Sequence, residues 1–181
     1  MATLSSDLLL LARADADEQL RLDDVDWRDL FEQVSRDAHR LCDPRPITVT
    51  TSDDLGRGIV DRVSLLRTFR VLLENVARHT PESAPVWLSA RREGTWLEFV
   101  VADGGPGVPA AQLPYIFDRF FRADPSRHTR GTGLGLAIAR NIVLRHRGQI
   151  TARNRPQGGL EVAVRVPVTL ETPSEPEPIH R

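Results

Sequence analysis

Apolar side chains recur at helical spacing in three stretches of this chain, with β-rich runs between them. Trp27, Leu30, Phe31, Val34, Ala38 and Leu41 mark one face of a first helix, which Pro44 and Pro46 end. The run ITVTT at 47–51 reads as a strand. Val63, Leu66, Phe69, Leu72, Leu73 and Val76 mark a second helix, closed by His79-Thr80-Pro81. Residues 86–90 and 96–102 are β-like, and 91–95 reads as the turn of a hairpin. Residues 104–131 are rich in Gly, Pro and Arg and read as a long loop holding a short helix; loops of that length are usually functional. Residues 134–145 are helical, and 149–153 and 160–166 form a second hairpin around Pro156-Gln-Gly-Gly159. The sum predicts an α/β two-layer sandwich: a mixed sheet of about five strands with about three helices on one face.

The ends differ from this middle. Residues 1–22 open with the helix-capping trio Ser5-Ser6-Asp7 and read as a short helix followed by an acidic linker. Leu8 to Leu11 fit no single helix face, so this stub is expected to pack against something. Residues 169–181, rich in Pro and Glu, read as a disordered tail. The working domain is expected over 25–168, after a stub and linker at 1–24.

Composition narrows the function. The formal net charge is −1, from 24 basic and 25 acidic residues, which excludes a polybasic nucleic-acid binder. Cys42 is the single cysteine, so neither a disulfide scaffold nor a Cys-rich zinc site is available. No apolar stretch approaches the roughly 18 residues of a membrane span, and the run from Leu8 to Ala12 is too short for a signal peptide. A cytoplasmic, one-domain protein with no membrane insertion is expected. Every basic residue is Arg; a GC-rich genome is the ordinary explanation, but any phosphate contact here must use Arg or backbone N–H groups.

Four segments carry candidate chemistry. RGTGLGLAI at 130–138 sets three glycines at alternate positions where an apolar helix opens. Its backbone can approach a ligand closely, and the helix start offers N–H groups and a positive dipole end to phosphate. The spacing is neither the dinucleotide fingerprint nor a P-loop. VVADGGPGV at 100–108 runs a strand into Asp103 and a glycine turn, a carboxylate placed to accept from an exocyclic amine. LLENVARHT at 72–80 puts Asn75 and Arg78 on one helix face, and an amide oxygen is a suitable Mg²⁺ ligand. IFDRFFR at 116–122 places three aromatics and two arginines inside the long loop, as in a lid that docks on the core. Taken singly, each has an ordinary structural reading: a helix cap, an Asp-Gly turn, a solvated helix face, an apolar anchor.

Their order and spacing are not ordinary. Asn75, Asp103 and Gly131 follow at intervals of 28 residues, with the aromatic segment between the last two. The arrangement resembles the ATP-binding catalytic domain of bacterial sensor histidine kinases, within the wider group of gyrase, Hsp90 and MutL-type ATPases. In that resemblance LLENVARHT is the N box, DGGPGV the first glycine box, IFDRFFR the F box and GTGLGLAI the second glycine box. It implies ATP and Mg²⁺ as ligands and a long ATP lid. It implies Asn75 as the Mg²⁺ ligand, and Arg78 and His79 as phosphate and nucleotide contacts. It implies Asp103 as the adenine-amine acceptor, with Gly105 and Gly107 shaping that wall. Arg122 matches an F-box arginine that reaches the terminal phosphate. Gly131, Thr132, Gly133, Leu134 and Gly135 match the lid hinge and the phosphate-binding helix start. Catalytic roles fall to Asn75, Arg78 and Arg122.

The sequence also departs from that pattern. None of the five histidines, His39, His79, His128, His146 and His180, sits in the setting of a phosphoacceptor on a two-helix dimerisation domain. The expected arrangement is a split kinase subunit, or a dissected piece of one, acting on a His-bearing dimerisation domain or subunit and, through it, on a response regulator. Alone, such a chain is expected to be a monomer. Val71 lies one turn before Asn75, where the ATPase branches and anti-sigma-type serine kinases carry a Glu that activates water or a hydroxyl. Valine cannot, which argues against hydrolysis and leaves two alternatives: a nucleotide-binding module without chemistry and, less favoured, an anti-sigma-type serine kinase. Gly158-Gly159-Leu160, where the family often has Gly-Thr, is expected to cost little.

Overall fold

A computed structural model describes residues 20–122 and 132–169. The leucine-rich stub, the lid segment 123–131 and the Pro/Glu-rich end lie outside the described residues.

Carboxylate caps start the first two helices. Asp26 Oδ1 accepts from Arg28 N at 2.9 Å and opens α1 (Trp27–Leu41). Asp61 Oδ1 accepts from Ser64 N at 2.9 Å and opens α2 (Arg62–His79). The third helix, α3 (Gly135–Arg145), begins with no side-chain cap. Trp27, Leu30, Phe31, Val34 and Ala38 are buried along α1, as the spacing predicts. On α2 the buried stripe is Leu65, Phe69, Leu72, Leu73 and Val76. Val63, expected on that stripe, is 73% exposed. Its place is taken by Leu65, which lies four residues before Phe69 and so stacks one turn below it.

The described residues form seven strands, β1 (Asp23–Asp26), β2 (Ile47–Thr51), β3 (Arg57–Val60), β4 (Val86–Glu93), β5 (Trp96–Asp103), β6 (Gln149–Asn154) and β7 (Leu160–Pro167). Five form the main sheet in the order β2-β4-β5-β7-β6, with β2 parallel to β4 and the other pairs antiparallel. This is the mixed five-stranded sheet the pattern predicts, with the three helices on one face. Alternate residues point to the helices: Val86, Leu88 and Ala90; Leu97, Phe99 and Val101; Val162, Val164 and Val166. Phe99 sits at the middle, with ring centroids 5.8 Å from Trp27, 6.1 Å from Phe31 and 4.9 Å from Phe69. Its tilted contacts join β5 to α1 and α2 in one core.

Two local expectations need correction. The turn at 91–95 shortens to Gly94-Thr95, because Arg91 stays in the ladder opposite Glu98 and pairs with it at 2.7 Å. And β1 and β3 form a second, two-stranded antiparallel ribbon that the pattern did not reveal. DDVD and RGIV are too short and too charged to read as strands; Val25 and Val60 anchor them by burial. Leu20 and Leu22, just before the ribbon, also pack on the core.

His146, fully buried just past α3, gives the fold a pH dependence. Its Nδ1–H donates to Ile142 O at 2.8 Å. Burial pushes its pKa below 6.5, only partly offset by that hydrogen bond and by Asp61. Above pH 6.5 the ring is neutral whether folded or not. Below it the unfolded chain takes a proton the folded chain refuses, so stability falls as pH drops toward the lowered folded value. Between pH 7.5 and 5.5 this amounts to at most about 1.4 kcal/mol, the limit for a ring that stays neutral in the fold. Urea midpoints at the two pH values, compared with those of His146→Gln, measure it; equal losses in both proteins would assign the effect to other groups.

Candidate nucleotide-binding site

The site is built on the last turns of α2. Val71 and Asn75 are half-buried one turn apart; Arg78 and His79 are exposed beyond them. Buried Arg45 holds this helix end. Its guanidinium donates to Ala77 O at 2.9 Å and to Thr80 O at 3.2 Å, satisfying carbonyls the helix leaves open. Arg45 comes from the segment after α1, between Pro44 and Pro46.

The first glycine box closes on one side of that helix end. Asp103, the last residue of β5, is 7% exposed, and its Oδ1 accepts from Gly105 N at 2.8 Å. A Cβ on Gly105 would lie 2.8 Å from that oxygen and 3.2 Å from Thr80 Oγ1. Gly105 therefore lets the loop touch the residue that ends α2. Gly107 has φ +71, a conformation that glycine adopts without strain. One carboxylate oxygen in an Asx turn leaves further lone pairs for a donor in the cleft.

The second glycine box closes on the other side. A Cβ on Gly135 would stand 3.2 Å from Val71 Cγ1, so the start of α3 leans on α2 one turn before Asn75. Leu134 is buried in a small cluster with Ile138 and Ile142, which fixes the helix start from below. Among the described residues no side chain caps the first N–H groups of α3. The F box docks here too. Phe120 N donates to Gly133 O at 2.9 Å, and a Cβ on Gly133 would meet Phe121 O at 2.8 Å. Ile116 is buried and Phe117 and Phe121 pack on the core, whereas Phe120 is 63% exposed with φ 65. Arg122 is exposed and Thr132 half-buried, at the two ends of this junction. Gly131 lies outside the described residues.

Three of the four segments thus converge on one stretch of α2, and the F box joins them through Gly133. The model of the "Histidine kinase-, DNA gyrase B-, and HSP90-like ATPase" family matches residues 60–170, which contain all four. The chain belongs to that family. Within it, the chain is an ATP-binding catalytic domain of the sensor histidine kinase kind. It is 36% identical over 180 residues to the sensor protein SphS of Synechococcus elongatus, covering 92% of this chain and 43% of SphS. The mycobacterial sensor histidine kinase MprB has a solved structure of TM-score 0.71 at 27% identity, covering 80% of this chain and 97% of that one. Full-length ShkA in complex with AMPPNP gives a TM-score of 0.78 at 29% identity, over 91% of this chain and 35% of ShkA. The chain therefore spans less than half of the sensor kinases SphS and ShkA.

Two residues at this end of the histidine kinase domain carried little signal in the sequence. Thr80 served there only to end a helix, yet it is buried against Gly105 beside Asp103. Arg45 carried no local signal beyond its flanking prolines. No described helix is long and apolar enough to cross a membrane.

Proposed function

We propose that the domain binds ATP·Mg²⁺ in this cleft and transfers the γ-phosphate to a histidine on a separate dimerisation domain or subunit. The observation that carries the reading is the placement of both glycine boxes against α2, Gly105 at Thr80 and Gly135 at Val71, on either side of Asn75. Asp103 accepts from the adenine amine, with Gly105, Gly107 and Thr80 as the surrounding wall. The uncapped start of α3, from Gly133 to Gly135, receives phosphate oxygens. Asn75 supplies one amide oxygen to Mg²⁺, which suits an ion that keeps waters and is carried largely by the triphosphate. Arg78, His79 and Arg122 supply the charge and polar contacts that a chain without lysine must take from elsewhere. AMPPNP in ShkA, a similar fold, supports nucleotide as the ligand.

Phosphoryl transfer asks mainly for positioning and charge neutralisation. The acceptor imidazole nitrogen bonds to the γ-phosphorus, the bond to the β-phosphate oxygen breaks, ADP leaves and the imidazole gives up its proton. No carboxylate at position 71 is needed, because imidazole is already a nucleophile. Hydrolysis would need water activated there, and half-buried Val71, packed beside Gly135, cannot do it. The acceptor is assigned to a partner domain because none of the five histidines stands in the sequence setting of a phosphoacceptor, and His146 is in addition sealed in the core. A response regulator is the onward acceptor, and the cytoplasm the compartment.

The test is transfer of label from γ-labelled ATP with Mg²⁺, with this chain alone and with a His-bearing dimerisation domain added. Acid-labile label on the added domain is the expected result. Acid-stable label would point to a serine kinase instead. ATP binding with no transfer to any acceptor would replace the reading by a nucleotide-binding module, which Val71 favours.

A further inference from the structure

The turn between β6 and β7 reaches the first glycine box at both ends. Arg155 Nη1 donates to Asp103 O at 3.1 Å. Asn154 Oδ1 accepts from Val108 N at 2.9 Å, and its Nδ2 donates to Val108 O at 2.6 Å. Between them Gly159, with φ +94, lies flat on Asp103: a Cβ there would be 1.8 Å from Asp103 O. The loop from Asp103 to Val108 is therefore pinned at its first and last residues by one two-residue unit, Asn154-Arg155.

Arg155 is itself held. Its guanidinium carbon lies 3.7 Å from the ring centroid of Trp87, a half-buried side chain on the sheet face opposite the helices. Trp87 pairs in register with Ala102, the residue before Asp103. The contact thus runs from the open face of the sheet around its end to the site.

What it holds is a single peptide unit. The Asp103–Gly104 peptide offers one carbonyl and one N–H. The carbonyl is taken by Arg155, and the N–H donates to Pro85 O at 2.9 Å. With both groups engaged the unit cannot rotate, although the two glycines after it would allow rotation freely. Turning it would swing Gly105 N away from Asp103 Oδ1 and re-aim the carboxylate.

We infer that Arg155, backed by Trp87, is a positioning residue for base selection: it fixes the Asp103–Gly104 peptide so that the Asp103 carboxylate meets the 6-amino group of adenine. The inference rests on the reading of Asp103 given above. It makes the outer sheet face part of the nucleotide site at one remove.

Dissociation constants for ATP and for purine riboside triphosphate, the same nucleotide without the 6-amino group, separate this role from simple support of the fold. In the unaltered chain ATP binds more tightly, and Asp103→Ala abolishes the preference. Arg155→Ala weakens ATP about tenfold, the weight of one charged hydrogen bond, and leaves the purine nucleotide within about twofold. Arg155→Lys, which keeps a donor and a cation over Trp87, recovers part of the loss. Equal losses for both nucleotides in Arg155→Ala and Arg155→Lys alike would reduce Arg155 to structural support and overturn the inference. So would an intact preference in Arg155→Ala while Asp103→Ala destroys it. No preference in the unaltered chain, or one that survives Asp103→Ala, would overturn the reading of Asp103 and the inference with it.

Discussion

Asn75→Ala is expected to slow phosphotransfer to an added dimerisation domain by about 100-fold or more while the melting temperature stays within a few degrees. The size follows from what the amide does. In the proposed site Asn75 would hold Mg²⁺, which would supply neutralisation of phosphate charge during transfer. Loss of one preorganised electrostatic contact of this kind typically costs about 10²–10³ in rate. The small stability effect follows from position. Asn75 is half-buried, its neighbours Val76 and Leu72 carry the core contacts of that turn, and alanine is the better helix former. Asn75→Asp keeps an oxygen ligand but adds a charge facing phosphates, so it should fall between the two, with a raised Mg²⁺ requirement. Initial rates of label transfer at saturating ATP across a Mg²⁺ series measure all three proteins. A rate for Asn75→Ala within threefold of the unaltered chain would remove Asn75 from the metal site.

The elements around Asn75 were legible because each carries a long-period signal. Fifteen residues of α1 and eighteen of α2 repeat their apolar positions three or four times, and β4, β5 and β7 alternate between core and open face over most of their length. The candidate site was legible in another way. Glycines, Asp103 and Asn75 had to stand in a fixed order, and the intervals between them survive as a pattern in the chain. What escaped lacks either kind of signal. The β1 and β3 ribbon is four residues a side and half charged, and pairing with each other and the core overrides its weak propensity. Val63 follows the helical period and still points outward, because a period gives the spacing of a stripe and not how the helix is rotated at its first turn. Thr80, Asn154 and Arg155 act through contacts made only when distant segments meet: Arg155 and Asp103 are 52 residues apart, Asn154 and Val108 46. A local reading sees a polar turn there.

Gly58→Ala is expected to carry a large stability loss, and it tests the part of the fold the sequence hid. A Cβ at Gly58 would stand 1.6 Å from Val168 O, 2.7 Å from Val168 C and 2.8 Å from Trp27 Nε1. None of these is the end of a flexible side chain. Trp27 is fully buried at the start of α1, and its Nε1–H donates to Val168 O at 3.1 Å across 141 residues. Val168 is fixed in turn by its own N–H, which donates to Thr95 O at 2.8 Å. Gly58 lies in β3, opposite Val25 of β1. Room for one methyl group therefore requires either the ribbon to leave the core or the chain after β7 to leave Trp27. The first exposes apolar surface; the second strands a buried indole N–H without its acceptor. Overpacking together with a lost buried hydrogen bond costs about 3–4 kcal/mol. For a domain of this size that is a fall of roughly 10 °C in melting temperature. Gly94→Ala is the internal comparison. Gly94, unlike Gly58, has a positive φ, +61, but nothing lies within 4 Å of its Cβ position, so only a backbone term of about 1 kcal/mol is expected. Thermal unfolding of the two variants beside the unaltered chain decides the point. If Gly58→Ala melts no lower than Gly94→Ala, then the ribbon is not clamped between Trp27 and Val168, and the close approach of β3 to the end of β7 is not a feature on which the fold depends.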